Sequence, residues 1–314
     1  MKILSFLFAL LLSGAAAAQG YPTKTVRFVS GVTPGAASDT MARMLAEKLS
    51  PVLGQPVIVE NRLGAGGLVG ARYVAQQAEP DGHTIMMYAS AFTVSTLLSP
   101  GLDPKELAPV ATVATIPTVM VTPPGKYKTV AEFVGAAKAQ PGQLVCADAG
   151  IGSATHMAFE RFRFAAGFEA VNVHTKGPGE ALTEVLSGRA DCYFALIFQA
   201  QKLRDAGKIG ALVVSSPKRS SLMPDLPTTV EAGYPNSDYN FWVGALVAAK
   251  TPRDIVERLH KEINALVQSP EINDRIRKLG ADPLTLSIAE FEAMIKRELE
   301  ENAQLIKKAG ITAN

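Results

Sequence analysis

Twice in this 314-residue chain a strand-like run feeds through a short loop of glycine and small hydroxylated residues into a helix. The first passage runs from Val26-Arg27-Phe28-Val29 into Thr33-Pro34-Gly35-Ala36-Ala37-Ser38-Asp39. The second runs from Leu144-Val145-Cys146-Ala147 into Gly150-Ile151-Gly152-Ser153-Ala154-Thr155-His156. A loop of this kind leaves backbone N–H groups unpaired at a helix start, with the positive end of the helix dipole behind them. Each is either an anion cradle or an ordinary tight turn with a Ser or Thr cap.

The same alternation extends along the chain and dictates an α/β fold. Val26 to Ser30 reads as a buried strand, and Ser38 to Leu53 as a helix with Met41, Leu45, Leu49 and Val52 at helical spacing. A strand over Val57 to Glu60, a helix over Leu68 to Ala78, a Pro80-Asp81-Gly82 turn and a strand over Thr84 to Ser90 follow. Such alternation builds mainly parallel sheets covered by helices on both faces. The apolar, Val- and Thr-rich stretch from Pro109 to Pro123 suits an extended crossing into a second lobe.

That lobe is expected to contain helices near Val130 to Ala139 and Met157 to Ala166. Its strands are expected around Cys146, at Ala170 to His174 and at Asp191 to Leu196. Phe241 to Val247 is the expected return crossing, with Trp242 either a reporter of lobe closure or a packed core residue. Amphipathic helices over Arg253 to Val267, Pro270 to Leu279 and Ile288 to Ala309 complete the chain.

The first residues read as an export signal: Lys2, the apolar run Ile3 to Leu12, and small Ala16-Ala17-Ala18 before Gln19. The run is too short to span a bilayer, which needs about twenty residues. Removing residues 1–18 leaves 30 basic against 29 acidic residues, a balance with no footprint for nucleic acid. The remaining chain of about 295 residues suits two lobes.

Cys146 and Cys192, the only cysteines, are expected as two buried thiols on neighbouring parallel strands, in preference to a bridge. His83, His174 and His260 show no metal-ligand spacing, so neither metal nor cofactor is expected. Gly64-Ala65-Gly66 with Gly70 imitates a dinucleotide-binding loop. It follows the second strand, and the next strand ends in Ala89-Ser90 without the ribose-binding acid. Asp39 is expected to brace its loop. A hydrolase using Ser153 or Ser38 with His156 is the alternative to a binding function, although no nucleophile-elbow pattern surrounds either serine.

Over essentially the whole exported part, the chain resembles the periplasmic solute-binding receptors of tripartite tricarboxylate transporters, the Bug family. The family's P-x-x-P-G-G-x-x-D loop is matched by Thr33 to Asp39, with Thr33 and Ala36 as departures. Its N-R-P-G-A-G-G is matched by Asn61 to Gly67, and its P-D-G-Y-T by Pro80 to Thr84. G-x-G-S-x-x-H-L resembles Gly150 to Met157, and the Y-K-G region resembles Thr175-Lys176-Gly177. Gly188 to Asp191, Pro224 to Thr228 and Glu231 to Tyr234 follow in the family's order.

The resemblance implies a type II periplasmic-binding-protein fold, with two doubly wound lobes joined by a two-crossing hinge. Residues 19–117 and 243–314 would form the first lobe and 118–242 the second. It implies a monomeric periplasmic receptor, not an enzyme, that captures a small carboxylate and hands it to integral-membrane transporter subunits. A dicarboxylate, with a flat or aromatic body as one form, is the expected ligand. The residues expected at it are Thr33, Gly35, Ala36, Ser38, Ser90, Gly152, Ser153, Ala154, Thr155 and His156. Phe92, Phe194 and Phe198 either line the cleft or belong to the core.

Overall fold

The computed structural model describes residues 20–239 and 241–312, so the export-signal reading of residues 1–18 lies outside them. The first unit comprises β1 (Val26–Ser30), α1 (Ala37–Leu53), β2 (Val57–Asn61), α2 (Leu68–Arg72), β3 (Thr84–Ala89), α3 (Ala91–Leu98) and β4 (Leu107–Thr115). The second comprises β5 (Thr118–Thr122), α4 (Val130–Ala139), β6 (Val145–Asp148), α5 (Ala154–Ala166), β7 (Val171–His174), α6 (Pro178–Leu186), β8 (Cys192–Leu196), α7 (Ile197–Asp205) and β9 (Gly210–Val214). The chain then returns through β10 (Trp242–Ala248), α8 (Arg253–Gln268), α9 (Pro270–Lys278), β11 (Asp282–Pro283) and α10 (Ile288–Ala309).

These elements make a six-stranded sheet, ordered β11-β4-β10-β3-β1-β2, and a five-stranded sheet, ordered β7-β6-β8-β5-β9. The Pro109 to Pro123 stretch is two strands broken at Ile116-Pro117, one in each sheet, so it does carry the chain across. β10 brings it back and lies antiparallel between β3 and β4, placing Gly244 opposite both Tyr88 and Thr112. A Cβ on Gly244 would lie 2.8 Å from Phe291 Cζ and 3.0 Å from the Ala111 carbonyl, so only glycine lets α10 pack this close to the sheet.

Both faces of each sheet are apolar, as parallel sheets covered by helices require. On α1 the buried stripe is Met41, Leu45, Leu49 and Leu53; Val52, expected on that face, is 45% exposed. The helix stops at Gly54, whose left-handed backbone lets its N–H reach the Ser50 carbonyl. Phe92 and Phe194 are fully buried core residues. Trp242 is fully buried too: its ring meets Phe291 edge-on, and Nε1–H donates to Glu298 Oε2 at 2.9 Å.

Cys146 and Cys192 form a disulfide, which corrects the expectation of two free thiols. They are direct register partners on β6 and β8, with Cα atoms 4.6 Å apart, and this pairing brings their sulfurs together. α10 serves both units: Phe291, Met294 and Ile295 pack on the first sheet, whereas Leu305 and Ile306, with Ile311 beyond the helix, pack into the core of the second.

Candidate functional site

The first loop leaves β1 and enters α1 by way of Gly35, whose φ of +86° only glycine adopts without strain. Asp39, on the first turn of α1, is the loop's brace. Its buried carboxylate accepts the Gly35 N–H at 2.9 Å and the Asn61 side-chain amide at 2.7 Å, and forms a two-pronged pair with Arg43 at 2.9 and 3.0 Å. Burial works to raise the Asp39 pKa, but the hydrogen bonds from Arg43, Gly35 and Asn61 outweigh it and hold the carboxyl below its ordinary range.

The Ala36 N–H is also used, by the Thr33 carbonyl at 3.1 Å. The loop amides of Gly35 and Ala36 are therefore not the outward-aimed donors expected from the sequence. The open donors lie one step later, at Ala37, Ser38 and Asp39, whose N–H groups meet no acceptor among the described residues. Beside them the Ser38 hydroxyl has no hydrogen-bond partner among the described residues, although the residue is only 5% exposed. Thr33 itself is exposed.

The second loop repeats the arrangement with different braces. Gly150 N–H donates to Asp148 Oδ1 at 2.7 Å, Ala149 N–H to Thr155 Oγ1 at 2.9 Å, and Gly152 N–H to His156 Nδ1 at 3.0 Å. Ser153 N–H reaches the Gly150 carbonyl, and Ser153 Oγ caps α5 by accepting the His156 N–H at 3.2 Å. Here too the loop amides of Gly152 and Ser153 are committed internally. Ala154 and Thr155 carry the open N–H groups at the helix start.

Ser90 lies between β3 and α3. It is fully buried, its hydroxyl lies 3.2 Å from the Tyr239 hydroxyl, and its N–H donates to the Trp242 carbonyl, so it joins α3 to the returning strand. The serine and histidine pairing that a hydrolase would need is absent among the described residues. Ser153 Oγ contacts Thr155 Oγ1, and the His156 ring accepts from Gly152.

Phe198, 39% exposed, lines a groove of about 430 Å³ together with Gly35, Ala37, Thr40, Lys202 and Lys278. Neither lysine has a carboxylate partner among the described residues. Sequence reading missed α3 as a neighbour of the second loop. A Cβ on Gly152, where φ is +74°, would sit 3.2 Å from Val94 Cγ1 and 3.3 Å from Leu98 Cδ1.

Sequence reading also missed that His174 meets His156. The rings lie edge to face with centroids 4.8 Å apart, and His174 Nδ1 sits 2.8 Å from Asp148 Oδ2. Donor atoms of Asp148, His156 and His174 lie within 4.8 Å of one another. The hydrogen bonds nevertheless make this a brace. His156 Nδ1 is an acceptor, so the ring's other nitrogen carries the proton and offers no lone pair, and Asp148 is taken up by Gly150 and His174. His83 accepts the Thr23 N–H through Nε2, and His260 Nδ1 meets the Val110 carbonyl, so each ties together distant parts of the chain. The glycine turn at 64–67 lets Asn61 reach Asp39 and Arg62 stack on Tyr73.

The tripartite tricarboxylate transporter family receptor pattern (TctC) matches residues 41–311. BugT of Bordetella pertussis is 30% identical, over 93% of this chain and 91% of its own. Among solved structures, an R. palustris protein with adipate is 29% identical with a TM-score of 0.78, covering 93% of this chain and 99% of its own. MatC from Rhodopseudomonas palustris with bound malate is 27% identical with a TM-score of 0.75, covering 91% and 100%. The two sheets are the lobes of a type II periplasmic-binding fold, and the matched family consists of receptors, not enzymes. The chain belongs to the tripartite tricarboxylate transporter receptor family, alongside the Bug proteins.

Proposed function

We propose that this chain captures a small dicarboxylate in the cleft between two lobes, 19–117 with 243–314 and 118–242, and delivers it to membrane subunits of a transporter. One observation carries the reading: α1 and α5 each begin at a braced loop and leave their first N–H groups open. The unpartnered, nearly buried Ser38 hydroxyl beside the first set is a further donor. One carboxylate of the ligand would take Ala37, Ser38, Ala154 and Thr155, with Ser153 and Thr155 hydroxyls alongside.

The energetics suffice without an arginine. A hydrogen bond to a charged group nets about 1.5–3 kcal/mol. Four or five supply the roughly 8 kcal/mol of micromolar affinity after the losses of association. Phe198 and the unpaired Lys202 and Lys278 along the same groove suit an apolar body ending in a second carboxylate. The relatives solved with adipate and with malate support a dicarboxylate. Capture would take place in the periplasm as a monomer, after residues 1–18 have directed export.

Thermal melting against a panel of mono-, di- and tricarboxylates, adipate and malate included, tests this. A true ligand at a hundredfold excess over its Kd should stabilise the fold by about 2.7 kcal/mol. Melting that shifts only with sugars, metals or cationic amines would overturn the carboxylate reading.

A further inference from the structure

The two glycine amides of the second loop are held by acceptors of different kinds. Gly150 is held by an oxygen of the Asp148 carboxylate, and Gly152 by an imidazole nitrogen, which accepts only while it lacks a proton. His156 is 3% exposed, so no water replaces it readily as a partner for Gly152. Gly152 is also where the loop comes close enough to Val94 and Leu98 of α3 that a Cβ there would crowd them, and Val94 packs with the second lobe's core.

We propose that His156 is a positioning residue whose neutral ring clamps Gly152 and so sets the open Ala154 and Thr155 amides, and that its protonation releases the loop and the carboxylate together. With a proton on Nδ1, two N–H groups would face each other across 3.0 Å, and the clamp becomes a repulsion. The inference rests on the reading of the second loop as half of a carboxylate cradle.

The charges facing His156 come from three elements. Asp148 lies at the end of β6, Glu160 and Arg163 lie on α5, and His174 lies at the end of β7. The segment 309–312, which lines the adjoining cavity of about 240 Å³, carries no titratable side chain, and Val94 and Leu98 are apolar. Burial pushes the His156 pKa below its ordinary value and wins over the pull of Asp148 and Glu160. Both carboxylates are already engaged, Asp148 by Gly150 and His174, Glu160 by Arg163. His174, held at 2.8 Å by Asp148, adds to the downward push on the His156 pKa.

The sign of the pH dependence separates this role from direct contact. If His156 donated to a ligand oxygen, acidification would place more positive charge beside an anion and tighten binding. If it positions the loop, acidification weakens binding, by up to about tenfold per pH unit below its pKa.

The test uses the whole exported protein, nitrogen-15 labelled, without ligand first. As the pH is lowered from 7.5 through the His156 ring titration, the hydrogen-exchange protection of the Gly152 amide should fall in step with it, by about tenfold one pH unit below the ring's midpoint. His156→Asn keeps an acceptor near the Nδ1 position and does not titrate, so its Gly152 should stay protected throughout. His156→Phe should lose protection at every pH; if it fails to fold, the other two proteins still decide. Flat Gly152 protection while the His156 ring titrates, or the same acid loss in His156→Asn, would overturn the proposal.

Calorimetry with malate adds the functional arm. Affinity should fall with acid in the wild type more than in His156→Asn, which controls for protonation of malate itself. Tighter binding in acid would assign His156 to direct contact and end the positioning role. Absence of malate binding at pH 7.5 would count against the ligand reading alone, because the Gly152 result decides the clamp without it.

Discussion

Replacing Asp39 by asparagine removes a charge without changing shape, and the structure fixes what is lost. Oδ2 accepts from Gly35 N–H and Arg43 Nε; Oδ1 accepts from Asn61 Nδ2 and Arg43 Nη2. Whichever way the new amide lies, its NH2 faces two donors. Hydrogen bonds to a charged group are worth about 1.5–3 kcal/mol each. Arg43 is half exposed and recovers hydration, so its share is discounted. The remainder is a loss of about 2–3 kcal/mol, or roughly 3–5 °C in Tm for a chain whose unfolding entropy is near 0.6 kcal/mol per kelvin.

The pH dependence has a definite sign. The folded pKa of Asp39 is depressed, so its contribution is present above the ordinary carboxylate pKa of about 4 and is lost as pH falls through the lower folded value. Melts of the wild type and Asp39→Asn should thus differ at pH 7 and converge in acid. A variant that melts within about 1 °C of the wild type at pH 7 would show that this carboxylate does not hold the loop.

Ser153→Asp keeps a good helix cap but sets a like charge against the bound carboxylate, about 4 kcal/mol at close range near a surface; calorimetry should show binding abolished with the melt unchanged. Burial pushes Glu298 up to about 8 despite the pull of Trp242 and Arg161, so the stability it gives is present at low pH and fades as pH rises through that value. Glu298→Gln should therefore gain on the wild type between pH 5 and 9, and a Trp242 emission change centred near 8 should occur in the wild type alone; parallel melts would contradict this. Reducing the Cys146–Cys192 bridge, which closes a sequence separation of 46, should lower stability by about 3–4 kcal/mol in the chain-entropy treatment, measured as melting with and without reductant.

What could be read from the sequence was what neighbouring residues decide. The helix over Val130 to Ala139 begins at a Thr129 cap and shows a clear apolar stripe, and the structure has it with the same limits. α3 was missed because Ala91-Phe92-Thr93-Val94-Ser95-Thr96-Leu97-Leu98 is apolar or β-branched nearly all round and has no side-chain cap. α7 was missed because Leu196 of β8 runs straight into Ile197 with no turn residue between. In the site, the Asp39 brace was legible as a first-turn acid. The commitment of Gly35, Ala36, Gly152 and Ser153 amides to internal partners was not, since it depends on dihedral angles. Nor was the meeting of His156 and His174, which the pairing of β6 with β7 brings about.

The placement of β10 and α10 bears on how the molecule is made. β10 lies between β3 and β4, so the first sheet has a gap at its middle until residue 248 has been synthesised. Leu305 and Ile306 close the second core later still. Pairings this distant along the chain form slowly, because a long loop must be closed before any contact rewards it. The two lobes thus differ in when they can close: all five strands of the second sheet exist once residue 214 has been made, whereas the first sheet must wait for the chain to return from the second lobe.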